Sequence, residues 1–133
     1  MEEARLRAIP LFAELGRREI EALSRCTDEV DVAEGKELVH EGDFGYEFFV
    51  IEDGRAEVRH EGETLAELGP GDFFGELALS GSARRSASVV AATSLTAIVM
   101  TRSAYRQMRH DIPAVCDRIE AVVDDRGREL AEP

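Results

Sequence analysis

In FGELALSGSARRSASVV, residues 74–90, one glycine, one carboxylate and one guanidinium have types and spacing that could hold an anion. Gly75 lets a backbone approach closely, because it has no Cβ in the way. Glu76 follows directly, and the next acid along the chain is Asp111. Between those two acids stand Arg84, Arg85, Arg102, Arg106 and Arg109. Gly75, Glu76, Leu77, Ala78 and Leu79 favour one or two turns of helix. The free N–H groups at such a start, with the positive end of the helix dipole, attract anions. Arg85, ten residues after Gly75, carries a planar fork that can pair with two phosphate oxygens at once. Ser86 and Ser88 alternate with Ala87 and Val89, so one face of that strand offers hydroxyls and the other packing. The competing reading makes Arg85 a surface arginine in a weak salt bridge and Glu76 a solvated carboxylate at a helix start.

The chain around this stretch is acidic: 28 Asp and Glu against 16 Lys and Arg give a formal net charge of -12. That balance disfavours direct nucleic-acid binding, which depends on Lys and Arg neutralising phosphates. A small anion needs only a local positive field inside one cleft. With 133 residues, 44% of them hydrophobic and 33% charged, the sequence reads as one soluble globular domain with a single sizeable core. No run approaches the roughly 20 apolar residues that span a bilayer. MEEARLRAIP is too charged for a signal peptide, so no membrane segment and a cytoplasmic location are expected. Cys26 and Cys116 lie far apart without a C-x-x-C partner, and buried free thiols are expected rather than a disulfide framework or a zinc site. His40, His60 and His110 stand singly, so no metal site is expected. An enzyme would need a metal cluster or a nucleophile with a base, and the sequence supplies neither.

The elements that must position the anion stretch change character along the chain. Leu6, Ile9, Leu11, Phe12, Leu15, Ile20 and Leu23 recur at spacings of three and four, which predicts N-terminal helices over residues 1–25, split by Pro10. From Gly35 onward glycines punctuate strand-length pieces: KELVHE, YEFFVIEDG, RAEVRHEG, ETLAELGPG, SASVVAA and SLTAIVM. A turn at Gly69 to Gly71 leads to a short strand at Phe73 and Phe74. Short strands with turns at such intervals predict an antiparallel jelly roll, a barrel over residues 26–101. RSAYRQMRH and IPAVCDRIEAVVDDRGREL predict two helices over residues 102–131, the second opened by Pro113. Val115, Ile119, Val122, Val123 and Leu130 form its apolar stripe, and Arg126 falls on it. Gly35, Gly42, Gly45 and Gly54 read as turn formers only.

FGELAL followed by RRSASV at this interval resembles the phosphate-binding cassette of the cyclic nucleotide-binding domain family. IPLFAEL, HEGDFGYEFFVIEDGRAEV and LAELGPGDFFGE fit the same pattern, so the resemblance covers most of the chain. It implies a mainly β fold: an antiparallel jelly roll, or double-stranded β-helix, with N-terminal helices, a cassette at residues 74–89 and a C-terminal pair of lid helices. It implies that Gly75 and the backbone N–H groups around Leu77 and Ala78 hold the cyclic phosphate and ribose. Glu76 would accept a hydrogen bond from the ribose 2′-OH, Arg85 would pair with the exocyclic phosphate oxygens, and Ala87 would add a backbone N–H. Ser86 sits where relatives differ by nucleotide, and its hydroxyl does not settle cyclic AMP against cyclic GMP. Arg126 is open between a lid residue near the base and a side chain that snorkels from the interface. Arg84 reads as surface.

The resulting expectation is a single sensor domain over residues 1–133 that binds cyclic AMP, with cyclic GMP open, needs no cofactor, and performs no chemistry. Its C-terminal helices would repack over the barrel and pass the signal to a separate effector protein, or to other parts of a longer chain; a homodimer is compatible with this. The alternative is a ligand-free jelly roll serving as an interaction or dimerisation surface.

Overall fold

The computed structural model describes residues 2–43, 45, 47–75, 85 and 87–130, with residues 123–130 as backbone only. The chain opens with α1 (Glu3–Arg7), a 3-10 turn (Pro10–Phe12) and α2 (Arg17–Cys26). Pro10 starts the 3-10 turn, where its missing N–H costs nothing. Glu19 accepts a hydrogen bond from the Gly16 N–H at 2.8 Å and so closes the first turn of α2. The seven apolar residues that predicted this helical region, Leu6 to Leu23, are all buried.

Among the described residues eight strands follow: β1 (Asp28–Val32), β2 (Glu37–Val39), β3 (Glu47–Asp53), β4 (Ala56–His60), β5 (Glu63–Leu68), β6 (Phe73–Phe74), β7 (Ser88–Ala91) and β8 (Leu95–Thr101). They form two four-stranded sheets in the orders β1-β8-β3-β6 and β2-β7-β4-β5. Every pairing is antiparallel. Among the described residues no strand joins both sheets, so the expected barrel is a two-sheet jelly roll that does not close.

Within the β1-β8-β3-β6 sheet, β3 is buried on both faces, which is why Phe48, Phe49, Val50 and Ile51 run without a polar break. Phe49 and Ile51 face the second sheet with Ala56, Val89 and Ala97. Phe48 and Val50 face the helices and join Phe12, Ile20, Met108 and Ile119. Each such burial is worth about 1.5–3 kcal/mol. Among the described residues two further helices, α3 (Arg102–Asp111) and α4 (Pro113–Leu130), add to the helical side. Thr101 caps α3, its hydroxyl accepting from the Ala104 N–H at 3.1 Å. Val115, Cys116 and Ile119 seat the first half of α4 in the helical core. Arg118 adds an ion pair to Glu14 at 3.0 Å. Cys116 is buried as expected, whereas Cys26 is only half-buried.

Candidate functional site

Arg85 is fixed to the loop after β2 by two backbone hydrogen bonds. Its N–H donates to Asp43 O at 2.7 Å, and Gly42 N–H donates to Arg85 O at 2.9 Å. These bonds set the backbone and leave the side chain to cross toward β3. There Nη2 donates to Glu47 O at 2.8 Å. The guanidinium passes between two glycines. A Cβ on Gly75 would lie 2.6 Å from Arg85 Nη1 and 2.6 Å from Glu47 O; one on Gly45 would lie 2.6 Å from Arg85 Cζ and Nε. Gly75 also has φ +81°, a backbone region that a Cβ penalises.

Only glycine at both places leaves room for the guanidinium. Gly45 is therefore more than the turn former its sequence context suggests: it is one jaw of an arginine clasp. The other jaw is Gly75, which the sequence did single out. Arg85 is partly exposed and opens onto a cleft of about 260 Å³ whose walls include Glu37, His40, Asp43 and Glu47. His40 Nδ1 lies 2.9 Å from Glu37 Oε1, and that carboxylate raises the imidazole pKa above its ordinary value. The cleft thus mixes one fixed guanidinium with carboxylates and a histidine that charges readily.

Of the residues expected at the site, the structure brings Gly75 and Arg85 into contact, and Ala87 stands half-buried between Arg85 and β7. Glu76, Leu77, Ala78 and Ser86 lie outside the described residues, as do the expected short helix after Gly75, Arg84 and the Arg126 side chain. Ser88 is turned to a structural task, its Oγ accepting from the Glu41 N–H at 2.9 Å. Sequence reasoning missed Gly45 and Glu47. Glu47 acts through its carbonyl, so its residue type carries no signal; Gly45 offered the sequence no signal beyond being a glycine, and only the structure shows that it lies outside the left-handed region where a turn would need it.

A positively charged side chain is thus held between two glycines at the rim of an antiparallel jelly roll that has helices before and after it. The cyclic nucleotide-binding domain family matches residues 29–111, and the chain belongs to that family. The chain is 29% identical, over its whole length, to a cAMP-dependent protein kinase regulatory subunit of Hypocrea atroviridis, of which it covers 29%. It is 29% identical to a Drosophila melanogaster cGMP-dependent protein kinase, over 92% of this chain and 14% of that protein. The crystal structure of the Thermus thermophilus catabolite activator protein superposes with a TM-score of 0.80 at 32% identity, covering 92% of this chain and 60% of that one. The chain therefore spans less than two thirds of each of these relatives. No helix among the described residues is long and apolar enough to cross a membrane.

Proposed function

We propose that the protein senses cyclic AMP in the cleft that Arg85 opens onto and passes the signal through α3 and α4, without doing chemistry itself. The observation that carries this reading is the clasp: Gly45 and Gly75 hold the Arg85 guanidinium against Glu47 O. An arginine fixed in this way offers two parallel N–H donors to phosphate with little orientational entropy left to lose. Arg85 pairs with the exocyclic oxygens of the cyclic phosphate. The backbone around Gly75, Leu77 and Ala78, with Ala87, completes the cradle, and Glu76 accepts from the ribose 2′-OH. Ser86 occupies the sequence position at which relatives differ by nucleotide, and Arg126 is a candidate lid residue.

Output follows from connectivity. Glu47, whose carbonyl holds Arg85, pairs across β3 and β8 with Thr101, the cap of α3. A phosphate that draws on Arg85 therefore pulls on a residue one strand away from the start of the C-terminal helices. The ligand favours whichever packing of α3 and α4 binds it better, by the difference in affinity. The relatives named for cyclic AMP support that nucleotide, and the cGMP-dependent kinase keeps cyclic GMP as the competitor. Titration calorimetry with each nucleotide, run beside amide hydrogen exchange over residues 101–122, tests both halves. Saturable cyclic AMP binding with altered protection in α3 and α4 is expected. Absence of binding at millimolar ligand would leave the jelly roll as an interaction surface only.

A further inference from the structure

Residues 101–110 hold Arg102, Arg106, Arg109 and His110 and no acid, in a chain of net charge -12. The helix α3 sorts these side chains by face. Tyr105 and Met108 point into the core. Arg109 turns toward α4, where it meets Glu120 at 2.5 Å and lies over the Tyr105 ring. Arg102, Arg106 and His110 recur every fourth residue and so share a different face, spread over about 12 Å of helix. With Ser103 and Gln107 they line an open depression of about 540 Å³. Arg106 is exposed and has no hydrogen bond or ion pair among the described residues. At the far end Asp111 takes a hydrogen bond from Gln107 at 3.1 Å and pairs with His110, closing the stripe.

From this arrangement we infer that the exposed face of α3 docks an acidic segment of a partner protein, with carboxylates meeting Arg102, Arg106 and His110 in turn. Charge complementarity chooses the occupant, and size refines the choice. Screening at physiological salt acts over about 8 Å, so a short acidic segment laid along the stripe feels mainly the stripe. A duplex or an anionic membrane extends well beyond it and meets the repulsion of the rest of the acidic chain. The place of the face also matters. The residue that caps the helix, Thr101, is the strand partner of Glu47, which holds Arg85. Coupling between docking and nucleotide rests on the sensor reading above, whereas the docking itself does not.

The test uses a fluorescein-labelled oligoglutamate peptide and anisotropy, with the intact protein and the Arg106→Glu variant. Saturable binding is expected, weakened by about tenfold or more in Arg106→Glu and reduced by added salt. Equal binding by both proteins, or none by either, overturns the inference. Cosedimentation with phosphatidylserine vesicles in place of peptide binding, or self-association that Arg106→Glu abolishes, would also overturn it, in favour of a membrane or a second copy. Cyclic AMP calorimetry on Arg106→Glu keeps the two readings apart. Unchanged nucleotide affinity with no peptide binding in either protein sinks the docking face alone, and nucleotide silence with intact peptide binding sinks the sensor alone.

Discussion

Replacing Gly75 with alanine attacks the clasp at its least forgiving point. The new Cβ meets Arg85 Nη1 and Glu47 O, each at 2.6 Å, on a backbone with φ +81°. The guanidinium can swing aside, but Glu47 O is backbone of β3, paired with β8 at Thr101, and cannot follow it. The left-handed conformation costs about 1–2 kcal/mol with a side chain present, and loss of the Arg85 bond to Glu47 O adds about 0.5–1.5 kcal/mol. A total of about 1.5–3.5 kcal/mol corresponds to a fall in Tm of about 5–18 °C for a chain of this length. Gly62→Ala is the matched control, since Gly62 has φ +82° and no atom within 4 Å of an added Cβ. It carries the backbone strain without the arginine. Differential scanning calorimetry should rank Gly75→Ala below Gly62→Ala, and nucleotide titration should show binding weakened by about tenfold or more only in Gly75→Ala. If both variants bind cyclic AMP like the unmodified protein, Arg85 is not held for a ligand and the reasoning fails.

Other perturbations probe the frame around the clasp. Ile119→Ala removes the fully buried α4 anchor and should cost about 2–5 kcal/mol in chemical denaturation; a cost below about 0.5 kcal/mol would mean that α4 is not seated in the core. Thr101→Ala should lose about 1 kcal/mol with the α3 cap, and Thr101→Ser should recover most of it. Because the folded-state pKa of His40 is raised by Glu37, its charged form adds stability at pH below the ordinary histidine value, and that stability is lost as pH rises through the folded value. An NMR titration of His40 should show the raised value return toward the ordinary one in Glu37→Gln, and no change would refute the pairing.

How much of this was legible in the sequence depends on how local each signal is. The spacing of Leu6 to Leu23, the break at Pro10 and the start at Pro113 are short-range, and the helices fall where they pointed. β1 was hidden because three acids in DEVDV conceal the alternation of Val30 and Val32, which are only half-buried at the sheet edge. Phe48 to Ile51 is an unbroken apolar run that serves two cores at once, a fact that needs the helices in place on the outer face. At the site, Gly75 and Arg85 are close in sequence and were found together. Gly45 lies forty residues from Arg85, and only the antiparallel return of β7 beside β2 brings the two into contact.

The central claim is that Arg85, held by two glycines, recognises the phosphate of a cyclic nucleotide. Isothermal titration of cyclic AMP into the intact protein and into Arg85→Ala tests it most directly. The expected result is saturable binding that the substitution weakens by about 2–5 kcal/mol. Equal affinity in the two proteins would contradict it.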